Sequence, residues 1–142
     1  MEHIVIIGGG FGGLSFLKKA RKSNNKFTLI DKTNHHLFQP LLYQVATAVL
    51  SPADITVPIR NLFKDDKNVT IKLGEVVDIR KDSKKVILQN GEEIDYDKLL
   101  ISTGASYSYF GNDEWGEYSN GLKNINDALD IRDKILKAFE KA

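Results

Sequence analysis

No cysteine occurs among the 142 residues, which removes a disulfide framework, a thiolate metal site and a redox-active dithiol pair from this chain. Any redox chemistry centred here therefore belongs to a bound cofactor. An excess of either charge is also missing: twenty Lys and Arg stand against nineteen Asp and Glu, a net +1. The overall electrostatics thus argue for neither a nucleic-acid partner nor an anionic membrane. Long apolar runs are absent as well. The longest, Leu41 to Leu50, is broken by Gln44 and Thr47 and falls far short of the ~20 residues of a membrane span. Glu2 and His3 lead straight into an apolar run with no basic leader before them, so no cleavable signal or transit peptide is expected, and a cytoplasmic setting is the default. Internal repeats and low-complexity tracts are lacking.

What is present is concentrated in the first thirty-one residues. The run Ile4-Val5-Ile6-Ile7 is followed by Gly8-Gly9-Gly10-Phe11-Gly12-Gly13, a helix-like stretch, a second run Phe27-Thr28-Leu29-Ile30, and Asp31. This is the outline of a dinucleotide-binding βαβ unit. Gly8 is expected in a tight strand-to-helix turn, Gly10 where the backbone approaches a pyrophosphate, and Gly13 where helix and strand pack closely. An anion would sit on the helix N-terminus, whose N–H groups and dipole favour negative charge. Asp31 follows Gly13 by eighteen positions, close to the ~20 at which an acid accepts hydrogen bonds from ribose hydroxyls. Glycines in any sharp turn can match such a motif by accident; here the preceding strand, the following apolar pattern Phe11, Leu14, Phe16, Leu17, Ala20 and the terminal acid supply the context.

Strand one is expected at residues 3 to 7, a helix at about 12 to 22, a turn at Ser23-Asn24-Asn25 and strand two at 27 to 30. The cluster Lys18, Lys19, Arg21, Lys22 fits a solvated helix end. Residues 31 to 40 look like loop. Short helices are expected within 41 to 50, after the cap Ser51 with Pro52 at the first helical position, and within 58 to 63. Residues 69 to 79 read as one strand, or as two interrupted at Gly74. Residues 84 to 88 and 92 to 97 flank Asn90-Gly91, the strongest short hairpin signal. The segment Tyr96 to Ser102 closes a parallel sheet before Thr103-Gly104-Ala105. A last helix runs from Asn126, as cap, to the end, with Ile125, Ala128, Leu129, Ile135, Leu136 and Phe139 on one face. The fold class is α/β: a Rossmann-like domain whose parallel sheet is interrupted by an inserted antiparallel β-meander. Because the apolar pattern is still running at Phe139, with no stop signal after it, the chain reads as a piece of a longer protein.

Other residues invite chemistry more weakly. His35-His36 lacks a nearby third ligand, and adjacent side chains point in different directions, so a polar loop explains the pair better than a metal does. Tyr107, Tyr109, Phe110 and Trp115 form an aromatic cluster suited either to covering a ligand or to core packing. No base is placed beside Ser15 or Ser51, and no catalytic acid, base or nucleophile is nominated.

The glycine motif and Asp31, with Asn34-His35-His36-Leu37-Phe38-Gln39-Pro40-Leu41-Leu42-Tyr43-Gln44-Val45-Ala46-Thr47 and Leu50-Ser51-Pro52-Ala53-Asp54-Ile55, resemble the N-terminal part of type II NADH:quinone oxidoreductases. Asn68-Val69-Thr70, Gly74-Glu75-Val76, Tyr96-Asp97, Ser102-Thr103-Gly104-Ala105, Tyr109-Phe110-Gly111 and Asp113-Glu114-Trp115 continue the match over essentially the whole chain. The resemblance implies a two-domain flavoprotein of which residues 1–142 are the FAD-binding domain. It implies that Gly8, Gly9, Gly10, Phe11, Gly12 and Gly13 surround the pyrophosphate, Asp31 and Lys32 the adenosine ribose, the Val76 backbone the adenine, and Thr103 and Gly104 the length of the cofactor. Gln39, Pro40 and Gln44 are implied near the flavin ring. NADH, quinone and a peripheral membrane contact on the cytoplasmic face are implied through regions outside this sequence, and the surface meeting those regions would permit self-association. Two alternatives stay open: a nucleotide-binding module without turnover, and a related flavoprotein such as a sulfide:quinone oxidoreductase, against which the lack of cysteine argues within this segment.

Overall fold

A computed structural model describes residues Met1–Ala142 as nine strands, four α-helices and three short 3-10 turns. The chain divides into two compact units, Met1–His36 with Val57–Gly104, and Leu37–Thr56 with Ala105–Ala142.

The first unit grows from the apolar runs. β1 (His3–Ile7), β2 (Lys26–Asp31), β5 (Val69–Leu73) and β9 (Lys98–Ile101) form a parallel sheet in the order β5-β2-β1-β9. Near-continuous apolar sequence in β1 and β2 is what a parallel strand covered on both faces requires. On one face Ile4, Ile6, Phe27 and Leu29 pack with Leu14 and Leu17 of α1 (Phe11–Ala20) and with Ile59 of α3 (Ile59–Leu62) and Phe63. Val5, Ile7 and Ile30 on the other face meet Val86 and Leu88. Those two residues come from the meander β6 (Val76–Arg80), β7 (Lys85–Leu88) and β8 (Glu93–Asp95), an antiparallel sheet in that order. The alternation in β7, with Val86 and Leu88 buried, is the signature of a strand covering a core with one face only. Each fully buried Leu, Ile or Phe in these layers contributes roughly 1.5–3 kcal/mol.

The parallel sheet and inserted meander are therefore as expected, and Gly74 divides residues 69–79 into two strands that join different sheets. β6 carries a bulge: Val76 faces Leu88 while Asp78 faces Ile87, which leaves Val77 as the extra residue. The basic cluster is only partly a solvated helix end, because Arg21 bridges to Asp66 at 2.6 Å and its guanidinium lies 5.9 Å from the centre of the Phe63 ring. Within the stretch read as loop, His35–Leu37 forms β3, which pairs with β4 (Thr56–Pro58).

In the second unit, α2 (Leu42–Ala46) and α4 (Ile125–Glu140) pack through Leu42, Val45, Ala46, Ile55 and Ala128. Ser51 and Asp54 form the capping box of the turn Pro52–Ile55, as the sequence suggested for Ser51. The cap of α4 is Asn124 and not Asn126: the Asn124 side chain accepts from the Asp127 N–H at 3.0 Å, and Asp127 returns the bond. Only the N-terminal half of the expected α4 face is covered within the unit. Ala128 is buried and Ile125 and Ile131 are partly so, whereas Leu136 and Phe139 are exposed. Of the aromatic cluster, the Tyr107 hydroxyl donates to Asp127 and Tyr109 meets Ser119, while Phe110 and Trp115 are exposed. Burial first, and the Asp127 hydrogen bond second, push the Tyr107 hydroxyl up to about 12. No helix is long and apolar enough to cross a membrane.

Candidate nucleotide-binding cleft

The glycine segment is shaped by three tight contacts. Gly8 leaves β1 at φ +102°, a left-handed conformation that glycine adopts without strain, and a Cβ there would overlap the Ser102 carbonyl. A Cβ at Gly13 would overlap the Gly8 carbonyl oxygen and stand 2.8 Å from Ser102 Oγ. Ser102 fixes this corner from the end of β9: its N–H donates to the Ile7 carbonyl at 2.8 Å, and its hydroxyl lies 2.9 Å from the Ile7 and 3.1 Å from the Gly8 carbonyl. Gly10 differs from both, since a Cβ there would meet nothing within 4 Å. It caps α1 with no side-chain bond, and the first turn holds no acidic residue. An anion approaching this end of α1 thus meets open space at Gly10, with no side chain there to displace and no acidic residue in the first turn of the helix.

Gly9 is held from both sides. Asp31, the last residue of β2, accepts from the Gly9 N–H through Oδ2 at 2.5 Å. Its Oδ1 accepts from the Thr33 N–H and hydroxyl, each at 2.7 Å. His36 Nδ1 lies 3.1 Å from the Gly9 carbonyl, and the ring meets Phe11 edge-on, with centroids 5.0 Å apart at 84°. A carbonyl oxygen only accepts, so Nδ1 carries the proton and donates.

A cleft of about 530 Å³ opens beside this turn, lined by Gly8, Asp31, Lys32, Val76 and Thr103 among others. Five of the residues singled out in the sequence thereby converge on one concavity, from the ends of β1, β2 and β9 and the start of β6. The site lies at the carboxyl ends of the parallel strands, where open α/β sheets place their ligands. Its electrostatics are mixed, with Asp31, Lys32, Glu75 and Asp78 all among the lining residues.

The model of the pyridine nucleotide-disulphide oxidoreductases matches residues 2–141. The chain belongs to that family. Within it, the chain is similar to the type II NADH:quinone oxidoreductase NdhA of Mycobacterium tuberculosis, at 46% identity over 99% of this chain and 31% of the relative. Among solved structures it is similar to the sulfide:quinone oxidoreductase of Aquifex aeolicus (TM-score 0.90, 27% identity, 99% of this chain and 33% of that one). It is also similar to NDH2 of Plasmodium falciparum, solved with NADH (TM-score 0.84, 33% identity, 99% and 30%). The chain spans about a third of the length of these pyridine nucleotide-disulphide oxidoreductase relatives.

The remaining predicted residues of this family member divide by place. Gly9, Gly10, Phe11, Gly12 and Gly13 form the turn and the first residues of α1, and Gly104 follows β9 at φ +74° with open space around it. Gln44 belongs to the second unit, on α2, where its Nε2 donates to the Tyr43 hydroxyl at 3.0 Å. Ser102, Thr33 and His36 were missed as parts of the turn. Ser102 and His36 had signals, in the Ser102-Thr103-Gly104 segment and the histidine pair, but their partners lie 94 and 27 positions away.

Proposed function

We propose that this chain is the FAD-binding portion of an NADH:quinone oxidoreductase. The observation that carries the reading is the convergence of Gly8, Asp31, Lys32, Val76 and Thr103 on one cleft beside an uncapped, acid-free helix N-terminus, in a chain 46% identical to a type II NADH:quinone oxidoreductase. The residues fit an extended dinucleotide: the room at Gly10 accommodates a pyrophosphate that a side chain would obstruct, and Asp31 keeps a lone pair on Oδ2 for a ribose hydroxyl. In this reading Gly8 through Gly13 hold the pyrophosphate, Asp31 and Lys32 the adenosine ribose, the Val76 backbone the adenine, and Thr103 and Gly104 run along the cofactor. Gln44 is assigned to the flavin end on resemblance alone.

FAD, when bound, supplies hydride acceptance from NADH and electron delivery to a quinone. The chain's own residues bind it, orient it and keep its phosphates on α1. NADH, quinone and a peripheral contact on the cytoplasmic face of the membrane belong to the rest of the longer protein. The test is the visible absorption spectrum of the purified chain before and after FAD is added and the excess removed. Flavin bands that stay with the protein support the reading; a protein that never retains FAD overturns it for this chain. The backbone likeness to a sulfide:quinone oxidoreductase favours a second reading. Turnover of the longer protein with sulfide in place of NADH would establish that one instead.

A further inference from the structure

We propose that His36 is a positioning residue for the phosphate subsite: by holding the Gly9 carbonyl it aims the Gly10 N–H at the pyrophosphate. The proposal rests on the FAD-binding reading above and adds a residue to it. The peptide plane between Gly9 and Gly10 is rigid and trans, so its carbonyl and its N–H point in opposite directions. His36 Nδ1, 3.1 Å from the Gly9 oxygen, pins one end of that plane. The other end, the Gly10 N–H, then points away from the histidine, and it belongs to the residue whose Cβ position is open. Asp31 pins the preceding plane through the Gly9 N–H at 2.5 Å. Two successive peptides of a segment with five glycines in six residues are thus fixed by side chains from outside it.

Without such restraint the segment has little reason to hold one shape, because glycine gives up more conformational freedom on ordering than any other residue. Asp31 cannot supply the restraint alone, since it grips only the plane before Gly9. The edge-on contact with Phe11 fixes the imidazole in turn, 5.0 Å between centroids, and links its orientation to the first residue of α1. His36 itself is half-buried at the end of the first unit, on β3. Its place is explained by the donor it presents, and an aromatic ring of similar size without that donor would keep the packing and lose the grip.

The experiment compares the wild-type chain with His36→Phe, which keeps a ring against Phe11, and His36→Asn, whose amide nitrogen reproduces the Nδ1 donor. FAD affinity is read by flavin fluorescence, the ADP-to-adenosine preference by competition against FAD, and stability of the cofactor-free chain by thermal melting. Loss of one neutral hydrogen bond predicts a roughly three- to tenfold weaker FAD affinity in His36→Phe. The ADP-to-adenosine preference falls by a similar factor, and His36→Asn recovers most of both. A merely structural role would lower ADP and adenosine equally and would track the melting temperature. Equal FAD affinity in wild type and His36→Phe, or a loss that His36→Asn does not rescue, overturns the proposal while leaving the FAD reading intact. A wild-type chain that binds neither FAD nor ADP overturns both.

Discussion

Replacing Gly13 and Gly10 by alanine, one at a time, separates the two jobs of the glycine segment. Both lie at the start of α1, and in an unconstrained helix Gly13→Ala would gain about 1 kcal/mol from propensity. In this fold its new Cβ overlaps the Gly8 carbonyl oxygen, well inside the 3.4 Å at which ordinary contact begins. That oxygen is backbone and already accepts from Ser102, so relief requires α1 to move off β1. Overpacking of this kind costs about 1–3 kcal/mol or more, and an unyielding partner places Gly13→Ala at the upper end. After the propensity gain, a net loss of about 2 kcal/mol remains, which at roughly 3–4 °C per kcal/mol for a chain of this length lowers the melting temperature by about 6–8 °C. Gly10→Ala meets no atom within 4 Å at an ordinary φ of −76°, so its stability changes by no more than about 1 kcal/mol. Its Cβ instead occupies the approach to the α1 N-terminus, and FAD affinity falls at least about tenfold, or ~1.4 kcal/mol. Thermal melting of the cofactor-free chain and FAD titration read the two effects. A Gly13→Ala protein as stable as wild type, or a Gly10→Ala protein that binds FAD normally, would refute the division.

Asp31→Ala removes the acceptor of the Gly9 N–H together with the proposed ribose contact. FAD affinity measured by titration should drop by ~1.5–3 kcal/mol, and an unchanged value removes Asp31 from the site. Tyr107 provides a pH signature. Burial and the Asp127 bond raise its folded pKa to about 12 above an ordinary value of 10.0, so the neutral hydroxyl is favoured by folding. Its contribution is complete below pH 10 and is lost as pH rises toward 12. Ultraviolet titration should show one tyrosine ionising after the others, absent in Tyr107→Phe; superimposable curves would contradict the assignment.

The βαβ start and the hairpin were legible because short-range rules govern them. The continuous apolar runs of β1 and β2, the Asn90-Gly91 turn and the acid at the end of β2 are all decided within a few residues. Residues 69–79 read equally as one strand or as two interrupted at Gly74, because which sheet each half joins depends on distant partners. The α4 cap shows how local competition misleads. Asn124 and Asn126 both precede an apolar stripe, and only Asn124 stands three residues before Asp127, the spacing a capping box needs. The cleft was readable as a set of residues and not as a mechanism of restraint. Ser102 and His36 act on the glycine turn across long sequence separations, and hydrogen bonds of that reach leave no periodicity behind. The division into two units was equally hidden, since Leu37–Thr56 belongs with a segment that begins only at Ala105.

The strand order has a consequence for synthesis. β1 sits in the middle of its sheet, yet one of its two neighbours is β9, with Ile4 beside Lys98 and Ile7 beside Ile101. A ribosome therefore releases the central strand early and its second partner almost a hundred residues later, with loop-closure entropy opposing the late pairing. Until then the edge of β1 that receives β9 is open to other strands, and the corner closed by Ser102 does not exist. The glycine turn, first in sequence, is among the last features of the nascent chain to acquire its shape, and a ribosome stalled before β9 should present a protein that aggregates readily and ignores nucleotides.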